Sequence, residues 1–231
     1  MTLDLAMRWT EILLALALTI PTLEHITAGD PRERLLFMLR LPLLVLLAVA
    51  PFPSLTPWVC LTLCVVAILA LHRFEGPYNG GSDKMSLLIL FCLTLAHFLP
   101  EPRWKELAFG YLALQLTLSY FISGWVKIRN PDWRTGRALQ DVFAFSAYPV
   151  AENLRTLADQ KSLLLAGSWL VITCELLFPF SLMSKWTLIP FLILAASFHL
   201  SNAIFFGLNR FVLVWIAAYP SILWLQARFI G

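Results

Sequence analysis

Apolar runs of about twenty residues recur along this chain from one end to the other, and they restrict it to very few folds. The runs cover roughly 4–26, 35–51, 56–73, 84–99, 104–126, 162–182, 186–206 and 210–227. A hydrocarbon core of ~30 Å takes about 20 helical residues at ~1.5 Å each, so each run is near the length of one crossing, with boundaries free to slip by a few residues. In lipid a backbone has to satisfy its own hydrogen bonds, which leaves helices for runs of this kind. The composition agrees, with 59% of residues hydrophobic, 13% charged and a mean hydropathy of +0.76. A soluble domain of 231 residues has too little interior to hide that much apolar surface. The expected class is all-α: one polytopic integral membrane bundle over 1–231, with about eight transmembrane helices in contact with the lipid bilayer.

Several classes of function drop out. The net charge of +3 is spread along the chain with no basic tract, which suits anionic headgroups and argues against nucleic acid as a partner. The first run carries Glu11, Glu24 and His25 and has no A-x-A site, so it does not read as a cleavable signal peptide. Cys60, Cys64, Cys92 and Cys174 all fall inside apolar runs, where cysteine behaves as a small hydrophobe; a metal site would need a second paired cluster. No Ser-His-Asp, HExxH, Walker or Rossmann pattern is present.

Connections between runs are short except for 128–161. There Leu139, Val142, Phe143 and Ala147 recur at helical spacing, with Arg137, Gln140 and Asp141 between them. This predicts an amphipathic helix over 137–148 lying in the membrane interface, with a second short helix over 151–158; a plain surface linker is the rival reading. With eight crossings, the polar connections all emerge on one face, carrying Glu24, His25, the Asn79–Asp83 turn, Lys127, Asp132 and Trp133. That face holds about eleven Lys and Arg against about five on the other, which by charge alone puts it in the cytoplasm.

The polar residues at these depths are the candidates for chemistry. Lys127 ends an apolar run within Tyr120–Gly136, YFISGWVKIRNPDWRTG. A lysine at a helix end either snorkels to headgroups or is folded inward, where low dielectric works against the charged form of an amine and leaves it available as a base. Ile128–Trp133 is a compact turn able to fold over the amine, Asp132 is placed to orient it, and Arg129 is a nearby cation for the headgroups. In FHLSNAIF, His199 and Asn202 stand three apart and share a helix face; they either make interhelical hydrogen bonds, at about 1 kcal/mol each, or line a cavity that takes a polar head or a quinone-like ring. The glycine-rich NGGSD, with Asn79 and Asp83, either turns backbone amides toward an anion or carbonyl or is a tight loop, with Asp83 suited to a helix N-cap. Glu175 is the deepest ionisable group, and a carboxylate there needs either a basic partner from another helix or a role as a proton relay; Glu11 has Arg8 within reach.

Tyr120–Gly136 resembles the corresponding part of the membrane domain of vitamin K-dependent gamma-carboxylase, a domain shared with the horizontally transferred transmembrane domain (HTTM) family of small bacterial proteins. The resemblance places the family's base, a lysine that deprotonates a reduced quinone, on Lys127. It places the Asp-Trp pair and the glycine found shortly after that lysine on Asp132, Trp133 and Gly136. FHLSNAIF is similar to the family's Phe-His-x-x-Asn segment, which falls on His199 and Asn202. NGGSD looks like a loop of bacterial members. The step from Lys127 to Trp133 is one residue longer than in the animal enzyme, and that enzyme's large lumenal domain has no counterpart, so full glutamate carboxylation is not expected. By analogy the lysine face is periplasmic, against the charge count. Together these features imply a bacterial inner membrane protein with Lys127 as base toward a reduced quinone, and His199, Asn202, Asp132, Trp133, Asn79 and Asp83 as ligand contacts. The rivals are a non-catalytic membrane subunit that helps mature, export or neutralise a secreted peptide through a partner protein, and a small carrier.

Overall fold

A computed structural model describes residues 1–28, 31–73, 80–146 and 152–231, and among them are helices and turns with no strand. The helices are α1 (Leu3–Ala28), α2 (Pro31–Val49), α3 (Thr56–Arg73), α4 (Gly80–Phe98), α5 (Pro102–Arg129), α6 (Pro131–Arg134), α7 (Arg137–Phe145), α8 (Lys161–Leu177), α9 (Lys185–Phe206) and α10 (Asn209–Phe229). Short 3-10 segments occupy Pro53–Leu55, Glu152–Asp159 and Phe178–Met183.

Each of the eight apolar runs is helical. Among the described residues, six segments are long and apolar enough to cross a membrane: Pro53–His72, Gly81–Phe98, Pro102–Arg129, Lys161–Met183, Lys185–Phe206 and Asn209–Phe229. Helices α1 and α2 are not among them; α1 carries Asp4, Arg8, Glu11 and Glu24, and α2 carries Arg34 and Arg40. The protein is thus a multi-pass integral membrane protein, with these six helices as its candidate crossings.

The helices gather into two compact units. The first comprises Met1–Leu114 and Leu213–Ala227. Within it α1 packs on α2, α3 on α4, α2 on α3 and α1 on α4. Leu14, Leu44, Leu47, Leu63, Ile89 and Leu93 are fully buried between them, and Phe109 meets Trp224 edge-on at 5.7 Å between ring centroids. One polar knot interrupts this core. Glu11, 3% exposed, accepts from Arg8 Nη1 at 2.9 Å and bonds His97 Nε2 at 2.6 Å. Arg8 also donates to the carbonyls of Leu47 and Ala48, in the last turn of α2, where helix carbonyls lack intrahelical donors.

The second unit comprises Gln115–Val212 and Arg228–Gly231. Buried positions repeat every three or four residues along its spans: Leu164, Ser168, Ile172 and Glu175 on α8, and Leu188, Leu192, Ala195 and His199 on α9. Ser184 and Thr187 form a capping box at the start of α9. The expected amphipathic helix is present as α7, which ends at Phe145; positions 147 and 148 lie outside the described residues. The expected second helix is a 3-10 segment, Glu152–Asp159, held to α7 by Arg155, whose Nη1 donates to the Ala144 carbonyl at 2.6 Å.

Candidate functional site

The site in the second unit starts from the spacing of three residues on α5. Tyr120, Gly124 and Lys127 stand at i, i+4 and i+7, on one face of the helix. Gly124 packs directly against α8. A Cβ there would lie 2.7 Å from the Leu176 backbone nitrogen and 2.9 Å from Glu175 Cβ, so no side chain fits without parting the helices. This contact sets Glu175 beside the lysine. Lys127 Nζ donates to Glu175 Oε1 at 2.8 Å and to Oε2 at 2.7 Å. The two side chains are 16% and 7% exposed. Removing both charges from water is costly, and a close two-oxygen contact is the geometry that offsets the cost.

The turn after Lys127 closes over the amine for local reasons. Asn130 is the N-cap of α6, its Oδ1 accepting from the Asp132 N–H at 2.9 Å, and Pro131 occupies the first helical position, where its missing N–H costs nothing. Helix α6 then docks on α8: the Ser168 hydroxyl donates to the Trp133 carbonyl, and the Trp169 indole N–H donates to the Arg134 carbonyl at 3.1 Å. Gly136 turns the chain with φ 77°, and a Cβ on it would meet Leu165 Cα at 2.8 Å. The Trp133 ring is thereby held with its centroid 5.1 Å from Lys127 Nζ, within cation–π range. Arg129 is the exposed cation at this helix end, 5.9 Å from the Trp125 ring, so Lys127 is turned inward and Arg129 outward.

Two turns before Lys127, the Tyr120 hydroxyl lies 2.9 Å from His199 Nε2 in a buried contact. The Tyr120 ring stacks on Phe178 at 4.1 Å between centroids. Beside these pairs is a cavity of about 440 Å³. Its wall is mainly apolar, from residues such as Leu139 and Phe143 of α7, Leu170 of α8 and Leu194 of α9, with Tyr120, Glu175, Ser197, Ser201 and Asn202 as polar members.

The expected site residues therefore separate. Lys127 and Trp133 meet at the amine. Asn202 lines the cavity, and His199 reaches it through its bond to Tyr120. Asp132 is exposed at the start of α6, where its backbone N–H is the capped group; the carboxylate at the amine is Glu175. Asn79 lies outside the described residues. The rest of the expected glycine-rich turn, Gly80–Asp83, is the opening of α4, so Asp83 sits within the first helical turn and is not the N-cap. A carboxylate there complements the positive end of the helix dipole, which suits it to a position one turn further in. Asp83 belongs to the first unit.

Sequence reasoning singled out Glu175 and its need for a basic partner but did not pair it with Lys127. Two opposite charges, one in each of two apolar runs and neither with a partner in its own run, were the available signal. Tyr120 and Gly124 carried a weaker one, a helical stripe ending on the lysine.

A family model described as HTTM domain matches residues 100–226, more than half of the chain, and the chain belongs to that family. No curated protein and no solved structure matches it.

Proposed function

We propose that this HTTM-family membrane protein binds a lipid-soluble aromatic alcohol of the reduced-quinone kind in the second unit's cavity and removes its hydroxyl proton at the Lys127–Glu175 pair. One observation carries the proposal: both oxygens of Glu175 lie within 2.8 Å of the Lys127 amine, while Glu175 itself lines the cavity. The cavity's 440 Å³ falls inside the range of about 300–1,000 Å³ common for small-molecule sites, and its few polar groups are of the kind that orient a flat polar ring. When bound, a reduced quinone supplies an aromatic hydroxyl with a removable proton.

The charges balance at the pair. Lys127 and Glu175 together are neutral when ionised. On taking a proton at a Glu175 oxygen the pair becomes singly positive, because Lys127 keeps its ammonium. That positive charge then faces the negative charge left behind, in a site of low dielectric where the attraction is strong. Trp133 spreads its ring against the ammonium and helps hold it without water. Leu139 and Phe143 of α7 close part of the apolar wall and limit solvent entry.

The test is titration of 2-methyl-1,4-naphthalenediol, under argon, into the protein in lipid nanodiscs. Lys127→Met alone leaves Glu175 as a buried charge without its counterion, so the double variant Lys127→Met/Glu175→Gln is the informative one. It removes both charges and should remain folded by thermal melting. Binding of the diol is expected to weaken at least tenfold in the double variant. A folded double variant that binds the diol as the parent does would reduce the pair to a structural staple and leave a membrane scaffold for a peptide partner as the better reading.

A further inference from the structure

We infer that the second unit's cavity opens sideways, between α8 and α9, into the hydrocarbon of the bilayer, and that the end of a phospholipid acyl chain occupies it when no other ligand does. This holds whether or not the cavity also takes an aromatic alcohol. A side chain that both borders the cavity and faces outward marks a rim. Leu170 of α8, 60% exposed, and Leu194 of α9, 45% exposed, are of this kind. Ser197, about one turn beyond Leu194, also lines the cavity and is exposed. Leu164, Glu175 and Ala195 line the same space but are buried, so they belong to its inner wall.

The depth of the rim selects the occupant. Leu170 is the tenth of the 23 residues in Lys161–Met183, and Leu194 is the tenth of the 22 in Lys185–Phe206. Both stand near the middle of a crossing, ~15 Å below the surface of a hydrocarbon core ~30 Å thick. Headgroups stay outside that core, whereas the ends of acyl chains meet at its centre. The end of the cavity nearer water is covered. Leu139 and Phe143 of α7 and Leu157 of the Glu152–Asp159 segment line it there. Phe143 is seated against Phe205 and Phe206 at the end of α9, with ring centroids 5.7 and 5.1 Å apart. Left empty, a void of 440 Å³ would cost its lining the dispersion contacts that a packed interior has. Water needs roughly two to four polar partners per molecule, which a mainly apolar wall supplies poorly. A hydrocarbon chain entering from the side restores the contacts and asks for no hydrogen bond.

Photolabelling in nanodiscs reads the inner wall directly. The probe is a phosphatidylcholine with a diazirine at the far end of one acyl chain; a second carries the diazirine beside the glycerol. Labelled residues are located by peptide mass spectrometry. The chain-end probe should label Glu175 at least fivefold more than the glycerol-side probe does. It should also label Ile193, which is exposed next to Leu194 but does not line the cavity, and leave Glu11 unlabelled, since that buried carboxylate is closed in by Arg8 and His97. Leu170→Trp and Leu194→Trp each add bulk to the rim at an exposed position, where substitution disturbs folding little. Each should cut Glu175 labelling at least fivefold relative to Ile193, and one folded variant suffices. Undiminished Glu175 labelling in a folded rim variant would overturn the opening between α8 and α9. A parent protein labelled at Ile193 but not at Glu175 would overturn the acyl chain as occupant.

Discussion

Glu11 and Glu175 are carboxylates buried in different units, and each sits against a basic side chain. Their surroundings differ in kind. Around Glu11, the basic partner is spent on backbone: Arg8 reaches on to the Leu47 and Ala48 carbonyls, and His97 holds the other carboxylate oxygen. The charge closes three helices, α1, α2 and α4, onto one another. Around Glu175, the basic partner makes no such bond to a helix end. Lys127 is covered by an aromatic ring on one side and gives its protons to a carboxylate that borders a void. A charge inside a membrane helix is therefore not by itself a mark of chemistry. What it faces, helix-end carbonyls or an apolar cavity, separates the staple from the candidate site.

The comparison breaks most visibly at Arg8. Arg8→Met strands one Glu11 oxygen and two helix-end carbonyls in a buried setting, and a loss of ~3–5 kcal/mol is expected from removing one partner of such a pair. Thermal melting in nanodiscs should show a large drop, while diol binding measured below the melting range stays within about twofold of the parent. Loss of binding by folded Arg8→Met would mean that the first unit's knot is not a mere staple, and the contrast would fail.

How much of this was legible in the sequence depends on whether a feature is local or long-range. The helices and the membrane class rest on local periodicity and apolar length, so the eight runs could be drawn from spacing alone. Arg8 with Glu11 is also local, at i and i+3 on one helix. Lys127 with Glu175 is not: the partners are 48 residues apart, and what joins them is the absence of a side chain at Gly124. Nothing in a linear pattern says which two helices a glycine lets together. Asp132 was the reasonable carboxylate to choose for the amine because it is near in sequence, but Asn130 and Pro131 commit that segment to starting a helix, and the start of a helix presents Asp132 to solvent. Asp83 shows the same effect at a boundary, since α4 begins four residues before the apolar run would suggest.

Gly124 gives the next largest test. In Gly124→Ala the new methyl would lie under 3 Å from α8 backbone and from Glu175 Cβ, so α5 and α8 have to part. Overpacking of this sort costs ~1–3 kcal/mol. The separation also lengthens the Lys127–Glu175 contact, so the melting temperature and diol binding should fall together. A Gly124→Ala protein that melts lower but binds the diol as the parent does would show that binding does not need the tight two-oxygen contact, and the site would have to be reassigned to the cavity wall.

The smallest expected effect is the sharpest on identity. Asp132 and Glu175 are the two carboxylates with a claim on the Lys127 amine, one near it in sequence and one near it in space. Asp132 is exposed, and its part in the turn is played by its backbone N–H, which Asn130 caps. Asp132→Asn leaves that N–H and the length of the side chain in place and deletes only the charge. An exposed substitution away from a packed or paired group shifts stability by less than ~0.5 kcal/mol. Diol affinity should change by less than about twofold, while Glu175→Gln, which also deletes one charge and keeps its shape but leaves Lys127 without its counterion and so is titrated only where thermal melting shows it folded, should weaken it by tenfold or more. Titration of the two variants side by side decides between the carboxylates. If Asp132→Asn proved the more damaging, the amine would turn toward α6 when ligand is bound, and the carboxylate that works with it would be the one chosen by sequence and not the one chosen by packing.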